Sequence, residues 1–190
     1  MIRPTAQFVA FALLLAATLS SCLTAGHKEM RVSLNPDGKS GSAVILFTRI
    51  HSEASNDTAD QTKDDFNSLI SEYYQGKKLT DLFPNISNVK KRLFLDGNEL
   101  AGELTFDFAN IADLGFFRYK NSGPFMYYTL ADGYFSSGVF EASNGSFGGD
   151  KMPLVFWDES SRDFFVKVAL SQAQAPERSL VPLYKTWAKK

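Results

Sequence analysis

Apolar and polar residues alternate along several short stretches of this chain, and a two-residue period is typical of half-buried β-strands. Met30, Val32 and Leu34 alternate with polar residues in the first of these stretches. An Asn-Pro-Asp-Gly sequence at 35–38, typical of a tight turn, separates it from a second apolar stretch at 43–50. The two stretches predict a β-hairpin.

The same period predicts further strands toward the C-terminus. They occupy 89–95, 99–108, 125–131, 134–141, 154–157 and 162–170. An Asp-Gly pair at 132–133 is a strong turn signal. It predicts a second hairpin, which joins the strands at 125–131 and 134–141.

One stretch has the 3.6-residue period of an amphipathic helix. Its apolar residues fall on a single helix face; they are Phe66, Leu69, Ile70, Tyr73 and Tyr74. Thr62 and Asp65 have the spacing of a capping box, and Gly76 is placed to end the helix. The pattern predicts one main helix over about 62–75, and Asn110 is placed to cap a second, short helix.

Strands dominate this prediction, and most connections between them are too short for parallel crossovers. We therefore expect an α+β fold, in which an antiparallel sheet built from hairpins carries the main helix on one face. The chain has 17 phenylalanines, many at alternate positions, which favour a packed aromatic core. An apolar ligand cavity is the alternative interpretation of the same composition.

The N-terminal stretch 1–21 has the three parts of a secretory signal. Arg3 supplies a positive start, an apolar run spans 8–17, and the small residues Ser20 and Ser21 close the segment. The run is shorter than the roughly 20 apolar residues that cross a bilayer. We expect a signal peptide that is removed from the mature protein.

Cys22 is the single cysteine of the chain and follows this segment directly. The sequence Leu19-Ser20-Ser21-Cys22 resembles a bacterial lipobox. The resemblance implies a diacylglycerol on the Cys22 sulfur and cleavage before Cys22, and in such precursors the new amino group is often acylated as well. The membrane is therefore an expected partner through the acyl chains. The alternative is an ordinary signal peptide with a chance cysteine. Since the chain has no second cysteine, no disulfide forms within it.

The expected mature chain divides into three parts. Residues 22–28 form a short tether, 29–171 a single α+β domain, and 172–190 a C-terminal tail. Leu23 follows the acylated position, and by analogy with Gram-negative lipoproteins it favours the outer membrane as the address.

The tail carries a candidate surface for a membrane interface or a partner. Leu180, Leu183, Tyr184 and Trp187 have the spacing of a short amphipathic helix, with lysines at other positions. Trp and Lys together suit a bilayer interface. Because the segment is short and the domain needs no second anchor, we expect it instead to pack back on its own domain.

The residue types that carry most catalytic and metal chemistry are scarce. His27 lies in the tether and His51 follows a strand, so a zinc site lacks ligands. Only His51 could serve a Ser-His-Asp triad, and the sequence has no nucleophile elbow or phosphate-binding glycine loop. Glu103 and Asp107 lie roughly 13 Å apart along a strand, too far for a glycosidase pair. We expect no catalytic residue, metal, cofactor or enzymatic activity.

Charge argues against one class of partner. Without residues 1–21 the chain has 19 basic and 21 acidic residues, a net charge of −2. Nucleic-acid binding favours clustered Lys and Arg, and the run Lys90–Arg92 is short and expected at a solvated strand end. Nucleic acid is therefore not an expected partner.

Two segments resemble LppM-like bacterial lipoproteins. One is the lipobox and tether with Met30–Gly38 and the apolar strand after it, and the other is the Gly-led strand Gly102–Ile111. The resemblance covers residues 22–170, and the stretch after it shows no transmembrane helix such as some members carry. It implies a surface lipoprotein with an α+β domain, no assigned catalysis and no site residues.

These observations predict a non-enzymatic lipoprotein of the bacterial envelope that binds an envelope protein, a glycan or a lipid. The alternative is a carrier for a lipid or another apolar ligand, which the phenylalanine-rich strands and the aromatic run Phe125–Tyr128 favour. The two interpretations differ in whether the domain holds an apolar cavity.

Overall fold

Two antiparallel β-sheets account for most of the regular structure in the computed structural model. The structure describes residues 23–53, 59–119, 122–129, 138–170 and 176–189. The predicted signal segment and Cys22 lie outside the described residues. The predicted α+β fold class, with antiparallel sheets and one main helix, is confirmed.

Strands and short helical segments alternate through the described part of the chain. In chain order they are β1 (Leu23–Leu34), β2 (Gly41–Ser52), α1 (Ala59–Ser68), a π-helical turn (Leu69–Tyr74), a 3₁₀ turn (Thr80–Leu82), β3 (Ile86–Asp96), β4 (Glu99–Phe108), a 3₁₀ turn (Ile111–Leu114), β5 (Phe116–Arg118), β6 (Phe125–Tyr128), β7 (Val139–Ser143), β8 (Ser146–Phe147), β9 (Leu154–Trp157), β10 (Asp163–Ala169), β11 (Arg178–Ser179) and α2 (Val181–Trp187).

The larger sheet has the strand order β3-β4-β2-β1-β10-β7, and β11 pairs with the C-terminal end of β2. The predicted hairpin of β1 and β2 is confirmed, and its register runs from Leu23 opposite Ser52 to Leu34 opposite Gly41. β3 and β4 form a second hairpin in the same sheet. β1 and β2 are the two central strands of this sheet. β4 and then β3 follow on the β2 side, and β10 and then β7 follow on the β1 side.

The smaller sheet has the order β5-β6-β9-β8. The hairpin predicted from 125–131 and 134–141 is wrong, because β6 pairs with β5 and β9 whereas β7 pairs with β10 in the larger sheet. The Asp-Gly turn at 132–133 lies outside the described residues. Turn chemistry is local, and it does not determine which strand a segment meets across the fold.

The two sheets meet around Phe164 of β10. Between ring centroids, Phe164 lies 5.0 Å from Phe125, 5.2 Å from Phe116 and 5.4 Å from Trp157. All four side chains are buried, and edge-to-face pairs add about 0.5–1.5 kcal/mol each beyond area burial. This part of the phenylalanine-rich composition therefore forms packed core.

The main helix packs against the larger sheet through the apolar face that its period predicts. Phe66, Leu69 and Ile70 are buried within the core cluster. α1 continues into the π-helical turn, where the backbone N–H of Gln75 donates to the Ile70 carbonyl at 2.8 Å. The helix thus ends where the sequence predicts, but with a widened last turn.

The predicted capping box is wrong. α1 begins at Ala59, so Thr62 lies inside the helix rather than at its start. Asp65 is buried, and its carboxylate accepts a hydrogen bond from the Ser52 hydroxyl of β2. The polar residue that the sequence assigns to a cap therefore holds the helix to the sheet.

β1 begins at Leu23, inside the segment expected as a tether at 22–28. Leu23 and Ala25 pair with the end of β2, and the backbone N–H of Leu170 donates to the Gly26 carbonyl at 2.8 Å. The alternation is hard to detect here because Ala25 and Gly26 present little apolar surface. Residues 23–28 are sheet, and the expectation of a free tether is corrected for them.

The C-terminal segment packs against its own domain. Leu180 is fully buried, the Tyr184 hydroxyl donates to the Leu93 carbonyl at 2.9 Å, and Trp187 meets Tyr74 edge-on at 5.6 Å. Leu183 is also packed against the core. These four residues, proposed from sequence as an interfacial surface, therefore serve mainly as intramolecular contacts. Within the described residues, no helix combines the length and apolar character that a membrane span requires.

Replacing Leu180 with alanine is expected to destabilise the protein by about 2–5 kcal/mol, the cost of a buried Leu-to-Ala cavity. Met152→Ala is the control, because Met152 is 47% exposed and its loss should cost no more than about 0.5 kcal/mol. Urea denaturation followed by circular dichroism measures both. Equal unfolding free energies for the two variants would contradict the docking of the tail.

The hairpin turn between β1 and β2 is closed by Asp37. Its carboxylate accepts hydrogen bonds from the Ser40 hydroxyl (2.6 Å) and from the backbone N–H groups of Lys39 (2.8 Å) and Ser40 (3.0 Å). These bonds, with the Ser40 hydroxyl first, hold the pKa of Asp37 below its usual 3.8. Gly38 follows with a φ of 69°, which glycine adopts without strain.

Asp37→Asn is therefore expected to lower stability at pH 7 relative to the native protein. Since the folded-state pKa is depressed, the contribution of Asp37 is present above pH 3.8 and is lost as the pH falls through the folded-state value. The difference between the two proteins should shrink below that pH in unfolding titrations. A difference that does not depend on pH would show that the carboxylate charge is not what stabilises the turn.

Candidate apolar groove

A groove of about 480 Å³ lies between the larger sheet and the end of the main helix. Residues of β1, β2, β3 and β4 form one side, and the π-helical turn and the 78–82 segment form the other. The apolar part of the lining includes Ala25, Phe47, Ile50, Leu69, Leu79 and Leu93. Most of the surface that these residues offer to the groove is hydrocarbon, so the space suits an apolar chain better than a sugar or a peptide backbone.

Gly102 contributes to the floor of this groove on β4. It pairs with Phe47 on one side and Leu93 on the other. A Cβ atom at this position would lie 3.2 Å from the Ile50 Cδ1 atom and 3.3 Å from the Leu93 Cδ2 atom. The glycine therefore lets these side chains close over the strand, and it interrupts the alternation of β4 at the groove.

The π-helical turn forms the opposite wall. Leu69, Tyr73 and Tyr74 line the groove from it. The Lys91 ammonium of β3 donates to the Tyr73 carbonyl at 2.8 Å and to the Gly76 carbonyl. These carbonyls belong to the C-terminal end of the helix, where cations are stabilised. Lys91 thus fixes the distance between the sheet and the wall, instead of lying at a solvated strand end as predicted.

The cationic side chains at the groove are each bonded to a carboxylate or to backbone carbonyls. Lys78 donates to Glu72 at 2.7 Å, and this hydrogen bond raises the pKa of Lys78 above 10.5. Arg92 lies 3.2 Å from Glu103. Burial lowers the pKa of Lys91, and the negative charge of Asp81 opposes that shift. The rim is therefore close to electrically balanced.

A second polar cluster surrounds His51, which is buried at the end of β2. The His51 Nδ1 atom lies 2.7 Å from the Arg49 carbonyl, which can only accept, so Nδ1 carries the proton. Its Nε2 atom lies 3.5 Å from Glu53 and 3.6 Å from Glu177, and Arg49 pairs with Glu177 at 2.7 Å. Four charged or titratable side chains therefore meet at the C-terminal end of β2, beside β11.

Arg49 adopts a positive φ of 54° in the middle of β2, a strained conformation for a residue with a side chain. The side chain crosses the neighbouring strand at Gly26, where a Cβ atom would lie only 2.7 Å from the Arg49 Nε atom. Gly26 is therefore required for this crossing. The strained residue aims the guanidinium at Glu177 and so joins the C-terminal segment to the sheet.

The His51 cluster does not have the arrangement of a hydrolase. The hydroxyl of the neighbouring Ser52 donates to Asp65 rather than to the His51 ring. Glu103 and Asp107, the carboxylates considered from sequence, are engaged by Arg92 and by Asn88 (2.7 Å). Among the described residues, no group of three or more His, Cys, Asp or Glu side chains is placed to hold a metal ion.

The phenylalanine-rich composition is compatible with a packed core or with a cavity, and it does not show where a groove would lie. The signal that could have found it is Gly102, a glycine within an otherwise alternating strand, because such a residue often marks close approach of a ligand or another backbone. The sequence around Tyr73 and around Lys91 gives no indication that these two residues are in contact. No family model, curated protein sequence or solved structure matches this chain.

Filling the groove is expected to weaken the binding of an apolar probe. Leu79→Trp adds bulk at the lining, and Val139→Trp adds the same bulk at a strand position that is 51% exposed. With Nile red as the probe, we expect Leu79→Trp to raise the dissociation constant by about tenfold or more. A tenfold increase corresponds to a loss of about 1.4 kcal/mol in binding free energy. Fluorescence titration with Cys22→Ser protein, which lacks the acylation site, measures it. Equal affinities in both tryptophan variants would rule out the groove as the binding site.

Proposed function

We propose that this chain is a lipid-anchored, non-enzymatic protein of the bacterial envelope whose domain holds an apolar ligand in the groove. The observation that carries the proposal is the apolar lining between β2, β4 and the π-helical turn. Its volume of about 480 Å³ falls within the roughly 300–1,000 Å³ of small-molecule sites. Of the two interpretations of the sequence, the groove favours the carrier of a lipid or another apolar ligand.

The anchor rests on the lipobox-like segment that ends in Cys22. Two buried acyl chains hold a protein stably at a bilayer, since each methylene contributes about 0.8 kcal/mol. The outer membrane is the proposed address if the host is Gram-negative, because Leu23 follows the acylated cysteine. The resemblance to LppM-like lipoproteins supports the same combination of an anchor and an α+β domain.

A lipid fits the groove better than the other partners considered. A glycan would need many hydrogen-bonding groups directed into the site, whereas the groove is lined mainly by aliphatic and aromatic side chains. The cationic residues at its edge already bind carboxylates or helix carbonyls. The ligand is therefore a hydrocarbon chain rather than a sugar or a charged peptide.

Cys22→Ser is expected to move the protein from the membrane to the soluble envelope fraction. The serine hydroxyl cannot take the place of the thiol in the thioether, so the anchor is lost. Fractionation of cells fed with labelled palmitate measures both effects. Ser21→Ala is the matched control, because it keeps a small residue before the cysteine. Identical fractionation of Cys22→Ser and native protein, without label in either, would refute the anchor.

Soluble Cys22→Ser protein purified from its own host is expected to carry a bound lipid, because the groove then has only cellular lipids to fill it. Native mass spectrometry detects such a complex as a discrete added mass. Leu79→Trp in the same background should lose that mass, and Val139→Trp should keep it. Protein that is empty in all three forms would end the ligand-binding proposal while leaving the anchor intact.

A further inference from the structure

The groove reaches the first described residue of β1. Leu23 and Thr24 line it, together with Leu170 after β10. Consecutive Cα atoms lie about 3.8 Å apart. The residue that the proposed function acylates is therefore bonded directly to a residue of the groove wall.

The start of β1 is held in place up to that residue. Leu23 lies opposite Ser52 and Thr24 opposite His51 in the β1–β2 ladder. β11 pairs with the same two residues of β2 from the other side. Because this end of the strand is built into the sheet, Leu23, to which Cys22 is bonded, is fixed at the groove wall.

The charges at the groove disfavour an occupant with its own ionic head. Lys78 is bonded to Glu72, Arg92 lies against Glu103, and Lys91 donates to two carbonyls. A fatty acid or phospholipid head would have to displace one of these partners. A hydrocarbon chain whose polar end is already attached to the polypeptide needs no such exchange.

From these three observations we propose that one acyl chain carried by Cys22 lies in the groove, while the remaining chains stay in the bilayer. The inference rests on the proposed lipidation and names the ligand of the proposed site. A methylene group is removed from water in the groove as well as in the bilayer, and its burial contributes about 0.8 kcal/mol. The free energy of that chain therefore differs little between the bilayer and the groove. Acylation of the Cys22 amino group, which often accompanies the diacylglycerol in lipobox precursors, gives the residue three chains, so two remain in the membrane and suffice for stable anchoring.

In the anchored protein the groove is thus already filled, and a foreign lipid enters only by displacing the chain. The domain is also held against the membrane surface, because the anchored residue is bonded directly to Leu23 of the groove wall. Loss of the acyl group empties the site and exposes its apolar lining, which is the state in which the soluble variant binds cellular lipid.

The experiment feeds cells a palmitate analogue that carries a photoreactive diazirine. Full-length protein is placed in phosphatidylethanolamine and phosphatidylglycerol vesicles, irradiated, digested and mapped by mass spectrometry. We expect crosslinks from the Cys22 acyl chain to peptides that contain 69–74 and 91–93 of the same polypeptide. Mixing with ¹⁵N-labelled protein identifies crosslinks within one chain by the absence of mixed-mass products.

Tryptophan variants distinguish crosslinks formed inside the groove from crosslinks that result only from general proximity of the acyl chain to the domain. Leu79→Trp should lose the groove crosslinks, and Val139→Trp should keep them; Leu82→Trp, at a second lining position, tests the same point if the first variant does not fold. Crosslinks only to vesicle lipid, with the acyl mass present on Cys22, would overturn this inference and leave the proposed anchor standing. Absence of any acyl mass on Cys22 would overturn the anchor itself, and with it the inference.

Discussion

The pairing of β1 with β2 organises the fold. The two strands run antiparallel from Leu23 to Ser52 around one tight turn. β1 then receives β10 on its outer edge, and β2 receives β4 and, further along, β11. Burial of the apolar face of this hairpin orients the helix, and Phe164 of β10 brings in the smaller sheet.

The groove results from a mismatch between this sheet and the element that covers it. The helix ends in a π-helical turn, and the side chains of this turn and of the facing strands leave the space between the two surfaces unfilled. The bonds from Lys91 to the helix carbonyls link the two surfaces beside the groove. A few polar contacts thus border a space whose walls are mainly apolar, which is the usual construction of a ligand site.

The sequence predicts those parts of the fold where one face is apolar at a regular period. The strands at Met30–Leu34 and at 99–108 and the helix face through Phe66 follow that rule, and the structure has them. β1 extends further than predicted because Ala25 and Gly26 lack the bulk that makes alternation visible. The partners of β6 and β7 depend on which sheet edge is available, and a turn signal between them carries no information about that.

The candidate site is the part that the sequence predicts least. A groove depends on how far apart two packed surfaces lie. Tyr73 and Lys91 are 18 positions apart in the sequence, and the local pattern between them does not indicate that they meet. His51 is visible from sequence as a rare residue type, but its burial between Arg49, Glu53 and Glu177 depends on a strained backbone at Arg49. The proposed lipidation of Cys22, by contrast, rests only on the sequence of the segment before it, so it can be predicted without the fold.

The proposed placement of the Cys22 acyl chain in the groove can be measured directly. The measurement is a nuclear Overhauser experiment on acylated protein with ¹³C-labelled Ile and Leu methyl groups in deuterated-lipid nanodiscs. We expect contacts from acyl methylene protons to the methyl groups of Ile50, Leu69 and Leu93. Contacts from these methyl groups to water alone, in protein whose Cys22 is fully acylated, would contradict that placement.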